Sequence, residues 1–471
     1  MTLTKQLDVN FIDPNFIFED RLDAHYYSNK FHEVEKKIKL APYAVKKFSE
    51  IAKKIKCGPF GSSVLAENYD ETGIIMVRPL NLKNVLLSNE NLVRFPEKAL
   101  GSNFPTFKHD DLLFARVGMP SCSIIPKTFE SVTISPNIIA AELIDNIDAY
   151  YIATFMNTPF GLLQIERRFK AVSQPTVSTE ELKTLDIFLP DFKYQKYIGD
   201  KVRKAEQLRE EINRVVKEVE SLFYNYTLLK EKTDDTKDAT KEFGVFVEPK
   251  NILNLLGPEV YKSDYVENQN MITALNNYVN FEECYEYIVN GVDSRNYIND
   301  IGTPYYKVAA IDMYGIKEAS VDYVDVFIDS INTKQKIEDG DLLITRKGSF
   351  GISMGVQARD MVGIISSEVF KVRLKNGWDA DYLAYFLNSN YGQKQFLQFA
   401  TGSTMKGISQ QNIVEILIPK IEYYKQQEIG FLVRSIKDMY YQSRELIQQA
   451  KNDVESLIEG TFDEAIVKKT E

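Results

Sequence analysis

The stretch His109-Asp-Asp-Leu-Leu-Phe-Ala-Arg-Val-Gly118 returns later in the chain as Asp339-Gly-Asp-Leu-Leu-Ile-Thr-Arg-Lys-Gly348. Each copy reads as a short apolar strand that leaves through an arginine towards a glycine. Two further blocks keep the same order. Ala149-Tyr-Tyr-Ile-Ala-Thr-Phe-Met-Asn-Thr-Pro-Phe-Gly161 returns as Ala380-Asp-Tyr-Leu-Ala-Tyr-Phe-Leu-Asn-Ser-Asn-Tyr-Gly392. Ile187-Phe-Leu-Pro190, followed by Gln195 and Ile198-Gly199, returns as Ile416-Leu-Ile-Pro419, followed by Gln426 and Ile429-Gly430. Three ordered blocks at one offset of about 230 positions indicate a duplication, and the repeated unit is too long for a solenoid. Two copies of a whole domain plus a helix fit better.

Each copy ends in a helical pattern. Apolar residues after Pro190 fall at Ile198, Val202, Ala205, Leu208, Ile212, Val215, Val219, Leu222, Tyr226 and Leu229. After Pro419 they fall at Ile429, Val433, Ile436, Tyr440, Ile447, Val454 and Leu457, with Ser443 and Ala450 filling the seam. Steps of three and four residues with charged opposite faces are the coiled-coil pattern; two core helices of globular domains are the plainer reading. The expected fold is mixed α/β (α+β). It has two domains in a tandem pseudo-repeat joined by two long antiparallel coiled-coil helices. The expected divisions are 1–194 for the first domain, 195–232 for the central helix, 233–423 for linker and second domain, and 424–471 for the last helix. Glu231–Glu242, charged and almost free of apolar residues, reads as a linker or a frayed helix end. Gly73–Arg78, Asp111–Ala115, Pro304–Ala310 and Asp341–Thr345 read as strands, and the blocks around Tyr151 and Tyr382 as helices.

The chain has 471 residues and a formal net charge of 57 − 67 = −10. That argues against a grip on nucleic acid through bulk positive charge but leaves room for a local one. Lys30, Lys36, Lys37, Lys39, Lys46, Lys47, Lys53, Lys54 and Lys56 crowd one segment; a solvated face is the plain alternative. The three cysteines, Cys57, Cys122 and Cys284, have neither a disulfide framework nor metal-ligand spacing, so a reducing cytoplasm is expected. No apolar run is long enough for a membrane span, and the acidic first twenty residues do not read as a secretory signal. With only 3 histidines, histidine-based catalysis has little material. No paired-carboxylate, Cys-His or Ser-His-Asp constellation stands out, and neither does a dinucleotide glycine fingerprint or a base-methylation tetrapeptide.

The candidate contacts are loops. In Cys57-Gly-Pro-Phe-Gly-Ser-Ser63, glycines let backbone N–H groups approach a phosphate, the serines add donors and Phe60 can wedge or stack. A turn between strands is the plain alternative. The candidate set there is Lys53, Lys54, Lys56, Gly58, Phe60, Gly61, Ser62 and Ser63. Arg116, with Ser121 after it, and Arg346, with Lys347 and Ser349, stand at strand exits, where an arginine can reach guanine O6/N7 or phosphate. An arginine tied to a carboxylate or carbonyl is the alternative. Phe169–Thr176, with Lys170, Ser173, Gln174 and Thr176, matches Phe399–Lys406, with Ser403, Thr404 and Lys406. Both loops offer amide or hydroxyl groups beside one lysine, suited to phosphate and base-edge contacts or to loop capping. Arg295 lies in Asn290-Gly-Val-Asp-Ser-Arg295, which takes the place of the Gly-Pro-Phe-Gly loop in the second copy.

With these residues the chain resembles the specificity subunit of type I restriction-modification systems over nearly its full length. The resemblance rests on Arg21-Leu-Asp-Ala-His-Tyr-Tyr27, the Gly-Pro-Phe-Gly-Ser-Ser loop, the doubled Asp-Leu-Leu…Arg…Gly blocks and the aliphatic-Pro-to-helix junctions. It departs where Asp191 and Lys420 replace a second proline, and where Tyr194-Gln195 and Gln426-Gln427 replace Glu-Gln. The resemblance implies two target recognition domains, each reading half of a split double-stranded DNA sequence. The helices would act as ruler and as dock for DNA methyltransferase (modification) subunits. S-adenosylmethionine and ATP would then bind partners, the methyltransferase and a restriction motor-nuclease, leaving this chain non-catalytic, without cofactor or metal. Open alternatives are the equivalent subunit of a related methylation or defence system, a methylating enzyme, and a coiled-coil scaffold that never touches DNA.

Overall fold

The computed structural model describes residues 21, 23–59, 69, 72–96, 104–170, 174–230, 257–298, 302–402 and 406–468. The chain divides into two compact units, residues 1–210 with 441–471, and residues 211–440.

Unit 1 is built on an antiparallel sheet of β1 (Ala52–Cys57), β2 (Leu112–Ala115), β3 (Cys122–Ile124) and β4 (Ile138–Leu143), in the order β1-β4-β2-β3. The unalternated run Leu112-Leu-Phe-Ala115 is explained by cover on both faces. Leu112 and Phe114 point into the main core, and Leu113 and Ala115 into a second core. A smaller sheet joins Val93–Phe95, Ile74–Val77, Val132–Ile134 and Thr106–Phe107, with Ile74–Val77 and Val132–Ile134 running parallel.

Unit 2 repeats the design. Its sheet is β5 (Tyr285–Asn290), β6 (Leu342–Thr345), β7 (Ser353–Gly355) and β8 (Val369–Leu374), in the order β5-β8-β6-β7. Leu342 and Ile344 enter one core and Leu343 another. The smaller sheet has three strands, again with one parallel pair, Thr303–Tyr306 with Ile364–Ile365. The strand expected over Pro304–Ala310 stops at Tyr306. Val308–Ala310 form a 3₁₀ turn closed by Ala310 N–H on the Lys307 carbonyl, which brings Ile311 opposite Ile316.

After each main sheet comes a buried helix, α1 (Ala149–Met156) and α3 (Ala380–Asn388), and then a long helix, α2 (Phe192–Thr227) and α4 (Tyr423–Glu459). The junction between them is the same in both units, each residue recurring 231 positions on, from Asp148 to Asp379. Asp148 caps α1 by accepting from the N–H groups of Tyr150 and Tyr151, and Asp379 caps α3 on Asp381 and Tyr382. The cap carboxylates pair with the long helices, Asp148 with Arg203 at 2.8 Å and Asp379 with Arg434 at 3.1 Å. Gln195 accepts from Asp148 N–H and donates to the Pro190 carbonyl, as Gln426 does with Asp379 and Ile421. Tyr151 and Tyr382 each donate to a carbonyl of the strand that leads into the long helix, Phe188 in Asp186–Leu189 and Pro419 in Leu417–Pro419, at 2.7 Å. Gly199 and Gly430 sit where a Cβ would come within 2.5 Å and 2.2 Å of the cap carboxylates, which accounts for glycine inside a helix.

Within unit 1, Lys201 pairs with Asp453, and Ser443 donates to the Ala205 carbonyl and accepts from Arg209, so the helix halves run antiparallel. Ile198, Val202 and Ala205 meet Ile447, Ala450, Val454 and Leu457 in the main core, which they share with Tyr150 and Ile152. Within unit 2, Ile212, Val215, Val219 and Phe223 share a core with Ile429, Val433 and Ile436. The seam is therefore both a helix pair and part of each unit's core. Phe223, not Leu222, fills the buried position at the end of α2, and Leu208 and Tyr440 are only half-buried. Helix α2 spans Phe192–Thr227 and stops before Leu228, at φ 60°. Helix α4 ends at Glu459, before Gly460 at φ 72°, so residues 461–468 do not extend it.

Candidate nucleic-acid interface

Antiparallel order brings the ends of β1 and β2 and the starts of β3 and β4 to one end of the unit 1 sheet. Gly58, the Arg116–Ser121 turn and the Ser135–Asn137 turn leave from there. Ile138 N–H bonds the Ser135 carbonyl and Gly58 N–H bonds the Ile138 carbonyl. The loop after Lys170 folds back onto the same end. Lys170 and Thr176 bridge each other, Val177 N–H bonds the Arg116 carbonyl at 2.9 Å, and Gly118 N–H bonds the Pro175 carbonyl at 3.2 Å. Lys56, Gly58, Arg116, Ser121, Lys170, Gln174 and Thr176 thus gather at one sheet end. Phe60, Gly61, Ser62, Ser63 and Ser173 lie outside the described residues.

The lysine-rich segment does not form one patch. Lys30 pairs with Glu166, Lys37 with Glu459, Lys47 with Asp186 and Lys53 with Glu142. Lys53 is neutralised at 2.7 Å, and Lys54 stands opposite Glu142, both towards the far end of β1. Lys170 is held by Glu181 at 3.1 Å. Lys56 and Arg116 are exposed, and among the described residues neither has a carboxylate at ion-pair distance. Arg116 lies beside Cys57, whose thiol burial pushes up against the opposing arginine charge, so it stays protonated. Gly58 has a packing reason: a Cβ there would stand 2.0 Å from the Ser135 carbonyl oxygen. Gly118 and Gly348 have a conformational one, with φ of 94° and 71°.

The same end of the unit 2 sheet carries Arg346, Lys347 and Ser349. Lys347 and Thr401 bridge Gly407, and Ile408 N–H bonds the Arg346 carbonyl at 2.9 Å, which brings Lys406 alongside. Gly291 matches Gly58, with a Cβ 2.2 Å from the Ile365 carbonyl oxygen. Arg295 is exposed on the stretch that leaves Gly291. Ser403 and Thr404 lie outside the described residues. Lys347 and Lys406 are exposed, with no carboxylate at ion-pair distance among the described residues.

Two features gain their role only in the structure. Arg21 is buried and donates to the carbonyls of Arg167, at 2.8 Å, and Phe169, at 3.2 Å, pinning the segment that enters the Lys170 loop. The turns Ser135–Asn137 and Ser366–Glu368 pack against both glycines and both arginines; their signal in the sequence is only a serine at each start. Among the described residues no group of three His, Cys, Asp or Glu side chains is placed to hold a metal, and no helix is long and apolar enough to cross a membrane.

Fold and site together define a duplicated α/β protein in which each unit presents exposed cationic side chains, with no carboxylate at ion-pair distance among the described residues, and hydrogen-bond donors at one sheet end. No protein-family model and no curated protein matches the chain. Among solved structures the chain is similar to the type I restriction-modification S subunit from M. genitalium, at 11% identity over 90% of this chain and 97% of that one, with a TM-score of 0.44. It is also similar to the HsdS subunit from Thermoanaerobacter tengcongensis, at 13% identity over 89% and 97%, TM-score 0.31. A third similar structure concerns assembly and conformational transition of the type I R-M system, at 12% identity over 89% and 99%, TM-score 0.30.

Proposed function

We propose that this chain is the DNA-recognition subunit of a type I restriction-modification complex. Its two units are target recognition domains, each reading half of a bipartite site. The long helices join the domains and dock methyltransferase subunits. The observation that carries the reading is the sheet end built twice, with an arginine at the same strand exit beside a returning loop each time. Donors, exposed cations and small loops suit DNA contact. The overall charge of −10 is compatible with this, because partners can supply most of the phosphate grip. A 36-residue helix is about 54 Å long, enough to span more than one DNA turn of about 34–36 Å, so the helices set the unread spacer. Catalysis, S-adenosylmethionine and ATP belong to the partners.

Methylome sequencing of cells carrying this chain with its partner methyltransferase tests the reading. A split methylated motif that disappears when only this chain is deleted is expected. A methylome indifferent to the deletion would sink the proposal.

A further inference from the structure

Resting on that reading, we propose that Arg116 and Arg346 grip the DNA sugar-phosphate backbone, giving each unit the same sequence-independent contact beside loops that differ. The frame around the two arginines is the same in detail. Arg116 N–H bonds the Asn137 carbonyl and Arg346 N–H the Glu368 carbonyl, both at 2.9 Å. Each guanidinium donates through Nη1 to the carbonyl at the middle of its turn, Pro136 at 3.5 Å and Ser367 at 3.2 Å. Each arginine carbonyl accepts from the returning loop, at Val177 and Ile408.

The flanking loops share no such identity. Residues 58–63 read Gly-Pro-Phe-Gly-Ser-Ser where 291–295 read Gly-Val-Asp-Ser-Arg, and 170–176 share little with 401–406. A side chain held in one frame twice is poorly placed to supply the difference between two half-sites. What any two half-sites share is the phosphate backbone.

The chemistry agrees. Among the described residues neither guanidinium has a carboxylate at ion-pair distance, so its charge is uncompensated. One N–H donor is spent on a long bond to a neutral carbonyl; the remaining donors of Arg116 suit phosphate oxygens, while in Arg346 the Nε is buried and only the Nη groups can reach out. Each turn also begins with a serine, Ser135 and Ser366, whose buried hydroxyl has no hydrogen-bond partner among the described residues.

The two grips are unequal. Arg116 is exposed above a turn carrying Asn137. Arg346 is half-buried, 5.3 Å over the Phe370 ring, and its turn carries the exposed Glu368 carboxylate, which repels phosphate.

The test uses the full chain in complex with its methyltransferase subunits. The probes are duplexes bearing the methylated motif and single-base-pair variants of it, between 50 and 200 mM salt, as order-of-magnitude bounds. Arg116→Gln is expected to weaken binding to every duplex about ten-fold, by a common factor, and to lower the slope of log K against log salt by about 1. Arg346→Gln is expected to do the same by a smaller factor, and Glu368→Gln to tighten binding. Arg116→Lys, which keeps the charge, is expected to recover most of the slope with an unchanged melting temperature. A loss confined to variants at one base-pair position, with the salt slope intact, overturns the phosphate assignment and makes Arg116 a base reader while the parent reading stands. A melting temperature that falls in step with binding for both Gln and Lys variants also overturns it. Wild-type complex that binds motif and scrambled duplexes equally overturns the parent reading.

Discussion

At one corner the two units meet the same packing problem with opposite charge. In unit 1, Tyr150 on α1 donates to Glu206 on α2 at 2.6 Å. In unit 2, the same two places hold Asp381 and Lys437, which form an ion pair. Glu206 also accepts from Lys127 N–H, and Lys437 also donates to the Gly355 carbonyl. All four side chains are buried. The junction therefore needs a satisfied pair at this corner, whichever group donates, because an unpaired polar group there costs far more than a paired one gains. The neighbouring contacts, Asp148–Arg203 and Asp379–Arg434, keep the same residues twice.

The largest effect expected from this comparison is at Lys437. Lys437→Ala leaves the Asp381 carboxylate buried with only Arg434 beside it, and should cost about 3–5 kcal/mol of unfolding free energy. Glu206→Ala strands a neutral hydroxyl and one N–H instead, and should cost about 1–3 kcal/mol. Urea midpoints at constant slope measure both, and equal costs would break the distinction. A transplant sharpens it. Tyr150→Asp with Glu206→Lys places the unit 2 pair in unit 1, and the double variant should be more stable than the sum of the singles predicts by about 1–3 kcal/mol.

A smaller asymmetry is expected one step away. Asp148→Ala removes a helix cap and the buried acid that Arg203 uses, for about 2–4 kcal/mol. Asp379→Ala should cost less, because the acid left on Arg434, Asp381 at 2.9 Å, is buried, whereas the acid left on Arg203, Asp200 at 2.9 Å, is exposed and solvent-screened. Calorimetry of the two variants decides the order. Tyr151→Phe and Tyr382→Phe should then cost the same as each other, about 1–2 kcal/mol, since each leaves one buried carbonyl unpaired at the same place. Unequal losses would show that the two junctions are less alike than their hydrogen bonds.

The sequence discloses the frame better than the surface. Leu112–Ala115 and Leu342–Thr345 are legible as strands because continuous burial on both faces writes an uninterrupted apolar run. The long helices are legible because their buried residues recur every three or four positions. The junction is not, because Asp148 and Arg203 carry no local pattern that says they meet. Gly58 is open to two readings. A glycine beside lysines and serines reads as a phosphate loop, yet the Ser135 carbonyl already excludes any larger residue there. The lysine run misleads for a similar reason, since composition counts charges without the acids that other parts of the chain bring to them.

Lys53 and Lys56 make the smallest contrast, and it separates a neutralised cation from a free one on a single strand. Lys53 stands at the start of β1 with its ammonium on Glu142, and that contact holds the lysine above its ordinary pKa and the glutamate below its own. Both side chains are solvent-screened, so the pair adds little to stability. Its charge is also cancelled locally, so a phosphate gains little from it. Lys56 lies nearer the sheet end that carries Arg116 and is exposed, with no carboxylate at ion-pair distance among the described residues. Lys56→Ala should therefore weaken binding of the complex to all duplexes alike, lowering the salt slope by up to about 1. Lys53→Ala should leave the slope unchanged, and Glu142→Gln, which frees Lys53, should not restore binding lost at Lys56, because Lys53 lies towards the other end of the strand. Filter binding across a salt series measures all three, and a slope lost equally at Lys53 and Lys56 would move the DNA contact from the sheet end to the whole length of β1.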